Sequence, residues 1–315
     1  NEGIFGPLSA YLTHALTGNA AIDESIAGRS QFFNLKTRSW SPDCLDLFGV
    51  PVSALPRLVT TSYDFGNMLN TKIPLRCVMG DQQAALIGQA GLKPGSMACN
   101  FGTSASIQYN TGAEPNIVPG LISSVLFSDD RHRFNMVEGT INSGNSIFYH
   151  LEKVLDIEHH NMHWDQRCSD HSTSGIFVPG FSGLAAPYWS GGFDDIYWEL
   201  DKRDHNAVIR AAMESIGFLV YDIIRSLEPI IKSRPAKLTA SGGGARDSLL
   251  QFIADLVRVP VEHSAMRDRT AYGIYRLLNP DQDYSALESD KIFYPSKNNV
   301  DKKIKQWHAA IASIL

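Results

Sequence analysis

Cysteine is scarce in this sequence. Cys44, Cys77, Cys99 and Cys168 stand far apart with no Cys-x-x-Cys pair, which argues against both a structural zinc site and a disulfide framework and fits a reducing compartment. Long apolar runs are missing too: nothing approaches the roughly 20 consecutive residues that a membrane-spanning helix needs. Residues 1 to 30 have no basic start, apolar run and small-residue cleavage site in succession, so no secretory signal is read there and the expected location is cytoplasmic. A basic excess is also lacking. With 28 Lys and Arg against 33 Asp and Glu, the formal charge is -5 and the pI is near 6.1, which argues against nucleic acid as a partner. Neither a fixed-period repeat nor a low-complexity linker marks a domain boundary.

What the chain does have is apolar content. Its 315 residues are 43% hydrophobic and 19% charged, enough for about two packed domains. Leu8, Tyr11, Leu12, Ala15 and Leu16 recur at three- and four-residue spacing ahead of Gly18, which predicts a packed helix with a glycine stop. Ser41-Pro42-Asp43 reads as a second helix start. Strands are expected at 75–79, 97–101 and 105–109, followed by a hairpin in which 125–127 and 134–137 flank a polar turn. Ile147, Phe148, Leu151, Val154 and Leu155 mark one face of a helix, and a longer helix is expected over 206–231. Strand 237–240, a glycine loop, helix 247–257 and an extended 259–262 complete an α/β pattern. The domain boundary is placed after Asp81, giving a first domain over 1–81 and a second over 82–315.

Three segments could carry chemistry. In Val78-Met79-Gly80-Asp81-Gln82-Gln83 an apolar strand ends at a glycine, and Asp81 sits at the start of the next helix. It could accept a proton from a substrate hydroxyl, or it could simply cap the helix. Ser241-Gly242-Gly243-Gly244-Ala245-Arg246 lies between a strand and a helix, where converging backbone N–H groups and the helix start favour phosphate. It matches neither the P-loop nor the dinucleotide fingerprint, and a plain tight turn is the competing reading. Asn100-Phe101-Gly102-Thr103-Ser104-Ala105-Ser106 could hold phosphate oxygens or form an ordinary hairpin. His159, His160 and His163 have helical spacing but no further ligand in fixed relation to them, and Asp194-Asp195 reads as an exposed acidic loop.

Taken together, these segments resemble the FGGY carbohydrate kinase family, and its glycerol kinases most closely. The likeness is carried by Gly80-Asp81-Gln82-Gln83-Ala84-Ala85-Leu86, Phe101-Gly102-Thr103, Val137-Glu138-Gly139-Thr140 with Ser143-Gly144, Ala186-Pro187-Tyr188-Trp189, Arg210 to Ile216, and Gly242-Gly243-Gly244-Ala245 leading to Gln251 to Asp255. It runs from about Phe5 to about Trp307. The resemblance implies an actin-like, ribonuclease-H-like α/β fold whose second domain is complete and whose first is partial. It implies an ATP- and Mg²⁺-dependent kinase for a small sugar or polyol. By that likeness Asp81 is the general base and Gln82 contacts the substrate. Gly102 and Thr103 hold phosphates, Gly144 with Gly242, Gly243, Gly244, Ala245 and Arg246 lines the nucleotide site, and no protein metal ligand is assigned. Transfer of a phosphoryl group rests on positioning and charge stabilisation, in keeping with the lack of an evident Ser-His or Cys-His arrangement.

Three departures from the family pattern matter. Thr103-Ser104-Ala105-Ser106 stands where glycerol kinases have Thr-Gly-Cys-Phe, and Phe148 stands where a nucleotide-contacting Gln is usual. A ketose is therefore as much in view as a polyol. The family's opening Asp-x-Gly-Thr hairpin and its Arg-Glu pocket have no counterpart before Asn1, so roughly half of the first domain is expected to be missing. Unpaired strand edges would follow, to be covered by a complementing N-terminal segment or a homo-oligomer. The alternative function is a non-catalytic nucleotide-binding remnant or regulatory partner of the same fold.

Overall fold

A computed structural model describes residues 3–231, 235–264, 266, 268–282 and 291–315. Its centre is a seven-stranded mixed sheet. Met97–Phe101, Ala105–Gly112 and Arg133–Ile141 run as an antiparallel meander, with Ile122–Ser128 on the outer edge of the third. On the other side of Met97–Phe101 lie Leu238–Ser241 and then Val261–His263, both parallel to it, and Lys291–Phe293 closes that edge in antiparallel sense. Five strands with only the second reversed, ordered third, second, first, fourth, fifth, are the ribonuclease-H-like core that the resemblance implies.

The strand Met97–Phe101 shows why the sheet is buried on both faces. Met97, Cys99 and Phe101 point into the large core beneath the helices His205–Leu227 and Asp247–Val257. Ala98 points the other way, to Leu86 and Ile87 on the helix Asp81–Ala90. Alternation with period two assigns each residue to one face. Asp204 opens the long helix by accepting a hydrogen bond from the Ala207 backbone at 3.0 Å. Phe218 meets Phe252 edge to face, with centroids 5.2 Å apart. Gly217 leaves room for that ring, since a Cβ there would lie 2.6 Å from it.

Residues 3–80 form a looser layer of short pieces. Ala21–Asp23 pairs in parallel with Arg57–Val59, and Asp23 caps the turn Glu24–Ala27 through the Ser25 backbone N–H. This layer is tied to the large sheet by an ion pair between Arg29 and the buried Glu138. A second tie is the Ser128 hydroxyl, which accepts from the Thr61 backbone at 3.1 Å.

Two expectations are corrected. The helix Leu8–Thr17 forms and ends at Gly18, whose φ is +80°, but its apolar face is not packed. Leu8 is 70% and Tyr11 66% exposed, while Ala10 and Thr13 are buried. The Thr13 hydroxyl donates to the Ala21 carbonyl at 2.7 Å, so the small, polar-anchored side docks on the strand and the larger residues face outward. Asp195, in turn, is no exposed loop residue: it is half-buried, and accepts from the Gly180 and Phe181 backbone and from the His150 ring. His159 binds Glu152 at 2.6 Å and stacks on Tyr149.

Candidate active site

Gly80 ends the approach to the helix Asp81–Ala90 and is its N-cap, with φ -65° and ψ 146°. Asp81 is thus the first helical residue rather than the cap. Its exposed carboxylate accepts from the Gln82 backbone N–H at 2.8 Å. A carboxylate at a helix start is favoured by the helix dipole. Gly80 is held from behind, its N–H donating to the Ser25 hydroxyl at 3.0 Å, and Ser25 in turn donates to Asp23. A Cβ at Gly80 would collide with the Gln83 amide.

Gln82 turns toward the sheet. Its Oε1 accepts from Gln108 Nε2 at 2.8 Å and from Ser106 Oγ at 3.3 Å. Ser106 follows the turn Gly102-Thr103-Ser104, which links Met97–Phe101 to Ala105–Gly112. The turn is closed by the Gly102 N–H donating to the Ser104 carbonyl at 2.8 Å.

That turn is the meeting point of all the glycine segments. The Asn145 and Ser146 N–H groups donate to the Gly102 and Thr103 carbonyls at 2.9 and 3.1 Å, and the Gly244 N–H donates to the Phe101 carbonyl at 2.9 Å. A side chain at Gly144 would meet the Ser104 backbone at 2.6 Å, and one at Gly242, whose φ is +98°, would meet Phe101 and Asn100. Only glycine allows this close backbone approach. Gly243 differs, because a Cβ there would meet nothing within 4 Å. It faces a cavity of about 370 Å³ whose walls include Ala85 and Gln89, Asn100, Gly242, Gly243 and Thr270. Ala85 lies one turn beyond Asp81 on the same side of its helix. Gln89 donates to Ser241 at the far end, and the Thr270 hydroxyl reaches the Asp81 carbonyl at 3.5 Å.

Ala245 and Arg246, expected to line the nucleotide site, are not among the walls of this cavity. The Arg246 guanidinium binds Asp165 at 2.6 Å and lies over the rings of Trp164 and Phe148, 4.8 and 5.2 Å from their centroids. Ala245 is buried. Nearby Cys99 is fully buried and its thiol is pushed up by that burial, so it offers no thiolate nucleophile.

The structure therefore brings Gly102, Thr103, Gly144 and Gly242 to Gly244 around one turn, with Asp81 and Gln82 at the start of the helix whose next turn, at Ala85, walls the cavity beside Gly242 and Gly243. Sequence reasoning missed Gln108 as a partner of Gln82, and Gln89 and Thr270 as cavity walls. A signal for Gln108 exists: Ser106, Gln108 and Asn110 alternate with apolar Ile107 and Tyr109 in one strand, a polar stripe on a buried face.

Family models match most of the chain. The family model described as the FGGY carbohydrate kinase C-terminal domain matches residues 97–279, and the N-terminal domain model matches residues 3–88. The chain belongs to the FGGY family of carbohydrate kinases. Among curated relatives of this FGGY chain, a glycerol kinase of Limosilactobacillus reuteri (strain DSM 20016) is 32% identical over 282 residues, which is 86% of this chain and 56% of that protein. A glycerol kinase of Mycoplasma genitalium is 30% identical over 341 residues, 99% and 67% of the two chains. The FGGY chain thus spans between about half and two thirds of the length of these relatives. Among solved structures, Plasmodium falciparum glycerol kinase with ADP superposes with a TM-score of 0.88 at 25% identity, covering 99% of this chain and 67% of that one. A gluconate kinase from Lactobacillus acidophilus, at TM-score 0.82 and 20% identity over 97% and 66% of the two chains, shares the fold. The fold is the actin-like, ribonuclease-H-like one of FGGY kinases. Among the described residues no helix is long and apolar enough to cross a membrane.

Proposed function

We propose that this chain carries the nucleotide site and the general base of an ATP-dependent kinase that phosphorylates a hydroxyl of a small ketose or polyol. One observation carries the reading. The helix that opens with the exposed Asp81 carboxylate also walls, one turn further on, the cavity bordered by Gly242 and Gly243. On this reading the proton acceptor stands one helical turn from the wall of the phosphate cradle.

The residues fit ATP. Gly243 leaves its space open and Gly144 admits the turn at 102–104, so backbone N–H groups and the Thr103 hydroxyl can surround phosphate oxygens. Magnesium that arrives on phosphate oxygens needs few protein ligands. When bound, ATP with its magnesium supplies the phosphoryl group to be transferred. Asp81 accepts the proton of the attacking hydroxyl, Gln82 orients the sugar, and the glycine turns hold the phosphates in place. Such positioning supplies most of the catalysis in phosphoryl transfer.

The test is ADP formation with and without a series of small ketoses and polyols. Sugar-stimulated turnover that disappears in Asp81→Asn, with nucleotide binding kept, supports the proposal. Turnover unchanged by Asp81→Asn removes Asp81 from its role. A second reading, nucleotide binding without sugar turnover, is favoured by the exposed apolar side of the helix Leu8–Thr17, where a second copy or a complementing segment would dock. Calorimetry showing ATP binding with no sugar-dependent ADP release supports that reading. A cytoplasmic location belongs with either reading.

A further inference from the structure

Gln82 is half-buried, directly follows Asp81, and has a saturated side-chain oxygen. A carbonyl oxygen offers two lone pairs, and here one receives Gln108 Nε2 at 2.8 Å and the other Ser106 Oγ at 3.3 Å. Both donors come from a buried face: Gln108 is 1% and Ser106 5% exposed. Gln108 stands opposite Glu138 in the sheet register, and Glu138 is fixed by Arg29, so the strand beneath the amide is braced. With its oxygen turned to the strand, the amide points its nitrogen the other way, and neither side-chain N–H of Gln82 has a partner among the described residues. A half-buried donor beside the proposed base is therefore held ready for an acceptor.

We infer that Gln108, helped by Ser106, is a positioning residue that sets sugar specificity by holding the Gln82 amide nitrogen toward the substrate. The inference rests on the kinase reading above and narrows its substrate class to open-chain 2-ketoses. A carbonyl oxygen beside the reacting hydroxyl accepts from Gln82 and has no proton of its own to place. A hydroxyl in the same position also accepts, but the Gln82 oxygen, turned to the strand and saturated, offers its proton no acceptor. A buried polar group left unpaired is costly, and this is how enzyme sites discriminate between similar substrates.

The test compares a 2-ketopentose with the pentitol that differs from it only at the second carbon. It reads the kcat/KM ratio and, with ADP present, the calorimetric affinity for each sugar. The native chain is expected to favour the ketose by about tenfold or more, equivalent to about 1.4 kcal/mol. Gln108→Met keeps the side-chain length and removes the donor, so the ratio should fall toward one, through KM for the sugar, with KM for ATP unchanged. Gln108→Glu puts acceptors where the donor stood, which should turn the Gln82 amide around and move the ratio further toward the pentitol. Ser106→Ala, the mildest change, should lower the ketose preference by about threefold, and denaturant midpoints report whether each variant is folded. A native preference for the pentitol, or one ratio shared by the native chain and its folded variants, overturns the inference and leaves the kinase reading standing. Binding of neither sugar overturns both.

Discussion

Gly88 and Gly273 lie against each other where the helix Asp81–Ala90 crosses the helix Arg269–Leu278. A Cβ on Gly88 would land on the Arg269 carbonyl, and one on Gly273 on the Ala84 carbonyl. Two backbones in contact cannot make room by turning a side chain. The crossing thus fixes the helix that starts with Asp81 against the segment that brings Thr270 to the cavity.

Gly88→Ala is accordingly expected to destabilise the chain by about 1–3 kcal/mol or more, the usual range for overpacking a tight contact. The urea midpoint measures it. A midpoint equal to that of the native chain would show that the two helices separate freely.

Asp222 is a second point of concentrated interaction. Its buried carboxylate accepts from the Tyr188 hydroxyl at 2.7 Å, from the Trp307 ring N–H at 2.6 Å and from His308 at 2.7 Å, so it fastens the C-terminal helix Asp301–Ala312 to the long helix His205–Leu227. Hydrogen bonds to a charged group contribute roughly 1.5–3 kcal/mol each. Asp222→Ala should therefore cost several kcal/mol, read as a fall in denaturant midpoint.

The same carboxylate raises the pKa of His308 above its ordinary 6.5, chiefly through their hydrogen bond. A histidine raised on folding stabilises fully below its unfolded pKa, and that stabilisation is lost as pH climbs through the folded value. Unfolding free energy should fall across that interval on the alkaline side of 6.5, and His308→Gln should remove this part of the slope.

Asp23 titrates elsewhere. Burial pushes its carboxyl up from 3.8 to about 7, against the lowering effect of its hydrogen bonds from Ser25, and its Oδ1 is buried without a partner. The neutral acid is favoured by folding, so its contribution is complete below about 3.8 and is lost as pH rises through about 7. Asp23→Asn should flatten the stability profile over that window. A slope unchanged by the substitution would assign it to another group.

Much of this was legible from residue patterns, and the limits are instructive. Met97-Ala98-Cys99-Asn100-Phe101 is a short apolar run broken only by Asn100, so the central strand could be placed to the residue. The helix Asp247–Val257 follows a glycine loop and begins and ends as expected. The helix Leu8–Thr17 was also legible, but periodicity only says which side is apolar, not what covers it, and the packed side turned out to be that of Ala10 and Thr13. Asp81 could be read as cap or base because position alone does not decide; the cap is Gly80. The pairing of Gln82 with Gln108 joins residues 26 apart in sequence and needs the sheet to bring them together, as does the docking of Gly244 on Phe101.

The most direct test of a nucleotide site beside Asp81 is calorimetric ADP binding by the native chain, Gly243→Val and Asp81→Asn. Gly243 has open space around its Cβ position and no positive φ, so a side chain there fills the cavity without straining the fold. The expected result is native binding in Asp81→Asn, and in Gly243→Val an affinity loss of about tenfold or more, about 1.4 kcal/mol, at an unchanged unfolding midpoint. Equal binding by the native chain and Gly243→Val, or none by the native chain, would contradict a nucleotide site beside Asp81.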